Sequence, residues 1–245
     1  GARDTLAAEA TLGKAATVLP LDLSDLDSVA QFAAGVKAKH GTVDFLLLNA
    51  GMATPRYELS KQGIEMHFAV NYLGHFLLAR LLGDELGRSS DGRVVSMSSC
   101  AHKVMTRFNA TLASPPESAY SWSAQYGLSK ATSILFSLEH NRRHPSITAC
   151  AADPGIAPTA LLRSNPAMEA AMFHHPLLAP ARRTPAQAAS TEVYGLLAPE
   201  LRGVKGGCYL RGGGQSQWAT PEALDPVAAR ELWDYSEQLV KPWLQ

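Results

Sequence analysis

The chain lacks most of the features that assign a protein quickly. Its three cysteines, Cys100, Cys150 and Cys208, are scattered and form no C-x-x-C pattern. Their spacing offers no metal site, and a reducing compartment is the default expectation. Net charge is zero, with 22 Lys and Arg against 22 Asp and Glu, which argues against nucleic acid or an acidic membrane held by bulk electrostatics. Long apolar runs are missing too. The nearest, Phe76 to Leu82, contains Arg80 and is too short to span a bilayer. No signal-peptide pattern opens the chain. The first residue is Gly1 rather than Met, so translation is expected to begin upstream. With no repeat and no linker, the 245 residues suit one α/β domain over 1–245 with a substantial core.

What is present is an alternation of helix and strand, the pattern of a parallel sheet wrapped by helices. Arg3 to Leu12 reads as a helix stopping at Gly13, and Thr17 to Leu21 as a short strand. Ser24-Asp25-Leu26-Asp27 reads as a capping box opening a helix to about His40. Val43 to Leu48 is a continuous apolar run, as in a strand buried on both faces. Ile64, Phe68, Tyr72, Phe76 and Leu77 give helical spacing to a long stretch from about Lys61 to Leu86. Strands follow at Arg93–Met97, Ile147–Ala152 and Gly207–Leu210. Helices are expected at Ser123–Arg143, from Pro185 to about Leu197, and at Pro226–Val240, with a Pro-rich, changeable region from Pro154 to Pro185.

Tyr126-Gly127-Leu128-Ser129-Lys130 carries the most chemistry. A Tyr and a Lys four residues apart share one helix face, and a nearby ammonium favours the tyrosinate over the phenol. By itself Tyr-x-x-x-Lys is common on amphipathic helices. The strand ends add weight, because ligands bind at the carboxyl edge of such sheets. Asp22 follows Thr17–Leu21, Asn49-Ala50-Gly51 follows Val43–Leu48, Ser98-Ser99 follows Arg93–Met97, and Pro154-Gly155 follows Ile147–Ala152.

This combination resembles the short-chain dehydrogenase/reductase family over nearly the whole chain. The match runs through Asp22, Asn49-Ala50-Gly51, Asn71, Ser99, Tyr126, Lys130 and Pro154 to Thr159. Asn71-Tyr72-Leu73-Gly74-His75-Phe76 and the C-terminal Gly206-Gly207-Cys208-Tyr209 resemble the retinol-dehydrogenase-like and WW-domain-oxidoreductase-like branch. The resemblance implies a Rossmann-type, doubly wound parallel sheet. It also implies an oxidoreductase that interconverts an alcohol and a carbonyl on a small or lipophilic substrate with NADP, the preferred cofactor, or NAD.

In that reading Tyr126 is the general acid or base. Lys130 favours the tyrosinate and holds the nicotinamide ribose, Ser99 hydrogen-bonds the substrate oxygen, and Asn71 holds a water that passes protons toward Lys130. Asn49, Ala50 and Gly51 lie under the cofactor, where small residues allow close approach. Asp22, with Leu23 beside it, meets the adenine, and Pro154, Gly155 and Thr159 border the nicotinamide. Arg3 stands where NADP-using members place an arginine for the 2′-phosphate; a first-turn helix residue is the equal alternative. Ser98 competes with Ser99 and Tyr120 with Tyr126, while Asn71 could be a surface residue. The segment Leu161–Arg183, with Met168, Met172, Phe173 and Leu177, is expected to form a lid that selects the substrate. Asp153 and Ala157 depart from the branch, which usually has His and a larger apolar residue there.

The family's Thr-Gly-x-x-x-Gly-x-Gly fingerprint is absent. Arg211-Gly212-Gly213-Gly214 does not replace it, since no helix opens after it. Against the family pattern, the first strand and most of the second are missing. The expectations are poor dinucleotide binding, marginal stability and exposed apolar strand faces. A non-catalytic binding or regulatory protein on the same fold is the competing hypothesis, and an epimerase or dehydratase a third. A homodimer through helices such as Lys61–Leu86 and Ser123–Arg143 is compatible with the resemblance. Cytoplasmic and organellar locations, a chloroplast included, are both open.

Overall fold

The computed structural model describes residues 1–162 and 165–244. In order, the elements are α1 (Thr5–Leu12), α2 (Leu26–Lys39), β1 (Phe45–Leu48), α3 (Met66–Phe68), a π-helical turn (Ala69–Leu73), α4 (Gly74–Leu81), α5 (Gly83–Gly87), β2 (Gly92–Met97), α6 (Ala110–Ala113), α7 (Trp122–Arg143), β3 (Ile147–Asp153), α8 (Pro166–His174), α9 (Pro185–Leu197), β4 (Tyr209–Arg211), β5 (Gly214–Gln215) and α10 (Pro226–Val240).

The five strands form one sheet in the order β1-β2-β3-β4-β5, parallel except for the β4–β5 pair. Parallel strands buried on both faces need apolar residues without alternation. Val94, Val95, Ala149, Cys150, Ala151 and Ala152 supply them, all at most 1% exposed. Alternate residues divide between two cores. Leu46, Leu48, Val94, Ala149 and Ala151 face α2, α4, α7 and α10, while Val95, Met97, Cys150, Ala152, Cys208 and Leu210 form a smaller core under α9.

The sheet edge at β1 is bare. Phe45 and Leu47 are 45% and 40% exposed on the face opposite Leu46 and Leu48. The expected strand Thr17–Leu21 does not join the sheet. Its ladder contact is a single parallel bridge between Pro20 and Ala2, with hydrogen bonds from Ala2 N to Leu19 O and from Leu21 N to Ala2 O, both 3.0 Å. Pro20 has no N–H to extend a ladder. Helix α1 follows Asp4, whose carboxylate caps it by accepting from Ala7 N, and it ends at Gly13 in a positive-φ conformation without burying a residue.

Two other expectations change. The N-cap of α2 is Asp25, which accepts from Asp27 N, because Ser24 bonds Asp22 instead of closing a capping box. The stretch expected as one helix from Lys61 to Leu86 begins at Met66, widens into the π turn and breaks at Leu82. Residues 59 to 65 instead form a tight loop closed by a Leu59–Glu65 bridge. The Arg211–Gly214 turn is the β4–β5 hairpin, with Gly212 and Gly213 at φ 69° and 81°, a conformation glycine adopts without strain.

Cys150 and Cys208 are 58 residues apart in sequence, yet they sit side by side on β3 and next to β4, and their sulfurs are joined. Strand register thus pairs two of the three scattered cysteines, and the compartment argument that rested on their scatter does not extend to this pair. Cys100 is free and exposed.

Candidate active site

The sheet's carboxyl edge gathers the loop after β1, the turn after β2, the turn after β3 and the first half of α7. Tyr126 and Lys130 lie on consecutive turns of α7, with Lys130 Nζ 5.6 Å from the centre of the Tyr126 ring. Lys130 is buried, and its ammonium donates to Met97 O at the end of β2, 3.1 Å away. Ser98 and Ser99 separate cleanly. Buried Ser98 donates to the Lys130 carbonyl at 2.8 Å, which fastens β2 to α7. Ser99 is half-buried; its hydroxyl accepts from Ala101 N at 3.2 Å and lies near enough to Tyr126 to favour the tyrosinate. Tyr120 points elsewhere, its hydroxyl 2.9 Å from Arg56 O and 3.2 Å from Thr54 O.

Asn71 sits in the π turn, a local widening that recurs at functional positions. It is 3% exposed, not a surface residue. Its Oδ1 accepts from Met52 N at 2.8 Å, and its Nδ2 donates to Met52 O and to Ser129 Oγ, both at 3.0 Å. The amide therefore laces the loop after β1 to α7. The Asn71 main-chain carbonyl accepts from His75 Nδ1 at 3.3 Å. Met52 and Ser129 were not singled out from sequence. Ser129 lay inside the Tyr-x-x-x-Lys motif, but only the fold shows which helix its hydroxyl meets.

Asn49, Ala50 and Gly51 are exposed at the end of β1. A Cβ on Gly51 would lie 3.3 Å from Asn71 Oδ1 and 3.5 Å from Lys130 Nζ. This backbone thus passes directly over both groups, and a side chain there would crowd them. Asp22 accepts the N–H and hydroxyl of Ser24 through Oδ1, at 2.9 and 2.6 Å. The Leu23 side chain is buried, and its carbonyl would lie 2.7 Å from a Cβ on Gly74, which explains the glycine of the Asn71–Phe76 motif. Arg3 is exposed beside the cap of α1.

On the far side of Tyr126, Asp153 is buried and accepts from Gly155 N at 2.9 Å and from Tyr209 OH at 2.8 Å. Gly155 has φ 78°, and Arg183 packs where its Cβ would be. Pro154 is half-buried and Thr159 exposed. The expected lid forms α8 and flanking 3-10 turns, with Met172 and Phe173 half-buried. Within it, Arg163 and Ser164 and the side chains of Met168 and Leu177 lie outside the described residues.

The electrostatics differ from the sequence expectation. Burial pushes the Tyr126 phenol up; the nearby Ser99 hydroxyl opposes this, and Cys100 and Asp153 add to the rise. Burial brings Lys130 down to about 8, with Asp153 opposing. Desolvation disfavours the charged form of each group and sets the direction of both shifts.

Among the described residues no helix is long and apolar enough to cross a membrane. A family model described as short chain dehydrogenase matches residues 2–170. The chain is 37% identical to a WW domain-containing oxidoreductase of Danio rerio over 233 residues, covering 91% of this chain and 55% of that protein. It is 35% identical to human retinol dehydrogenase 13 over 226 residues, covering 90% of this chain and 67% of that one. The chain thus spans about half the length of the WW domain-containing relatives it matches. Among solved structures, an uncharacterised protein from Mycobacterium paratuberculosis superposes with a TM-score of 0.68 at 33% identity, covering 98% of this chain and 82% of the other. An NADPH-bound carbonyl reductase from chicken fatty liver, at 17% identity and a TM-score of 0.58 over 86% of this chain and 81% of that one, shares the fold. The chain belongs to the short-chain dehydrogenase/reductase family, in its retinol-dehydrogenase-like branch.

Proposed function

We propose that the site interconverts an alcohol and a carbonyl with a nicotinamide dinucleotide, NADP before NAD, on a small or lipophilic substrate. The observation that carries this reading is the buried Lys130 ammonium 5.6 Å from the Tyr126 ring, one turn along α7, with the Ser99 hydroxyl close to the phenol. The nicotinamide supplies or accepts the hydride when bound. The residues fit its ribose end. Gly51 leaves bare backbone over Lys130, and the one hydrogen bond described for the Lys130 ammonium, to Met97 O, leaves two of its protons for ribose hydroxyls. Pro154, Gly155 and Thr159 would border the nicotinamide, and Asp22, with the Leu23 main chain, the adenine. Arg3 would meet a 2′-phosphate. The sequence offers no glycine-rich turn for the pyrophosphate.

Tyr126 would donate its proton to the carbonyl oxygen during reduction and take it back during oxidation. A phenol raised by burial is fully protonated at neutral pH, the form reduction needs. Ser99 would donate to the same oxygen as charge grows on it. Asn71 would brace the loop against α7 and keep Lys130 in place.

The test is Tyr126→Phe, assayed by NADPH oxidation with a panel of aldehydes and ketones. Loss of general acid catalysis should lower turnover by about 100- to 10,000-fold, with NADPH affinity by calorimetry mostly retained. Undiminished turnover would exclude Tyr126 as the acid.

A further inference from the structure

Beside this site lies a buried acid–histidine pair that the proposed chemistry does not use. Glu65 and His67 are both 0% exposed. Glu65 caps the first helical turn, its Oε2 accepting from Phe68 N at 2.9 Å, and its own N–H donates to Ser114 Oγ at 3.0 Å. Its other oxygen, Oε1, lies 2.7 Å from His67 Nδ1. Across the ring, His67 Nε2 faces the Thr54 N–H at 3.1 Å. A main-chain N–H can only donate, so Nε2 presents its lone pair and Nδ1 carries the proton, given to Glu65. The imidazole is neutral, oriented from both sides, and has no freedom to flip.

That fixed ring touches the acid–base group. It meets the Tyr126 ring edge-on, centroids 6.2 Å apart and planes at 71°, and stacks on Tyr120 at 6.5 Å and 22°. Tyr120 in turn reaches the Thr54 carbonyl. Thr54, three residues beyond Gly51, is held at its N–H by His67 and at its carbonyl by Tyr120. Helix capping alone would require Glu65 and no histidine. The added imidazole joins the loop that passes over Lys130 to the ring of Tyr126.

We propose that His67, oriented by Glu65, is a positioning residue that holds the Tyr126 ring and the loop after Gly51 in one fixed relation. This rests on the reading of Tyr126 as the acid–base group. The test compares His67→Leu and His67→Gln in the full chain carrying ring-13C tyrosine, with the Tyr126 resonance assigned from Tyr126→Phe. A Gln amide can donate to Glu65 and accept from Thr54, and Leu can do neither. Leu should shift and broaden the Tyr126 resonance and lower turnover about 10- to 100-fold, as displacements near 1 Å do, with nucleotide affinity within about twofold. Gln should restore both. An unmoved Tyr126 resonance in His67→Leu, or a Gln variant no better than Leu, overturns the inference. If His67→Leu does not fold, the unsubstituted chain decides, since the 15N signature of a neutral ring protonated at Nδ1 is required and any other state overturns it. Absence of turnover in the unsubstituted chain would count against the proposed function, while the tyrosine resonance would still decide the role of His67.

Discussion

The Lys130 ammonium donates to the Met97 carbonyl at 3.1 Å, so a buried cation rests on a single backbone oxygen among the described residues. Burial brings it down to about 8 from an ordinary value of 10.5. The folded protein therefore bears a cost at neutral pH for holding a charge that its surroundings disfavour.

Replacing Lys130 with Met should stabilise the fold while removing the proposed activity. The shift corresponds to on the order of 3 kcal/mol, and the lost hydrogen bond offsets about 1 kcal/mol of that. The sign follows from proton counts. Between pH 8 and 10.5 the unfolded chain binds more protons than the folded one, so wild-type stability rises across that window. The advantage of Lys130→Met should be largest below pH 8 and shrink above it. Melting curves at several pH values check this; a lower melting temperature at pH 7 would contradict it.

The two serines after β2 should respond differently. Ser98→Ala removes a buried bond to the Lys130 carbonyl and should cost about 1 kcal/mol of stability. Ser99→Ala removes the cap on the Cys100–Val104 turn, should cost about 1 kcal/mol as well, and should lower turnover roughly 100-fold, as loss of one oxyanion donor does. Steady-state kinetics on both variants separate the roles, and a loss of turnover in Ser98→Ala but not in Ser99→Ala would assign Ser98 as the functional hydroxyl.

Acid should destabilise the protein well before its carboxylates titrate. Burial lowers His75 to about 4 and His140 to about 3. Among the described residues His140 Nδ1 has no hydrogen-bond partner, and its ring packs against Phe136 and Trp233. Each is held neutral in the fold but protonates near 6.5 when unfolded. Their contribution is complete above pH 6.5 and is lost as pH falls toward 4. His140→Phe should flatten the fall in stability between pH 6.5 and 4, measured by urea titration. An unchanged slope would show that His140 does not contribute.

The bare edge at β1 should limit solubility. Phe45 and Leu47 present apolar side chains beside the unpaired backbone of β1, which is a template for strand addition. Leu47→Lys should reduce light scattering at high protein concentration while changing stability by about 0.5 kcal/mol or less. Equal aggregation in both proteins would place the sticky surface elsewhere.

Much of this was legible in the sequence because the relevant signals are local. Helical spacing placed Tyr126 and Lys130 on one face of α7, and apolar runs located β1, β2 and β3 to within two residues. Small and polar residues at the strand ends put Asn49–Gly51, Ser98–Ser99 and Pro154–Gly155 on one edge of the sheet. The last helix was placed at Pro226 to Val240, where α10 lies.

Contacts between distant segments were decided only in three dimensions. Strand register joins Cys150 to Cys208, and the π turn spends the Asn71 amide on Met52 and Ser129. The first turn of α3 brings His67, held by Glu65, against Tyr126, although Glu-x-His carries no periodic signal. Packing also set the sign of the Tyr126 shift, since spacing fixes how near an ammonium stands but not how much water is excluded. Burial sums over every neighbouring segment, and no single stretch of sequence encodes it.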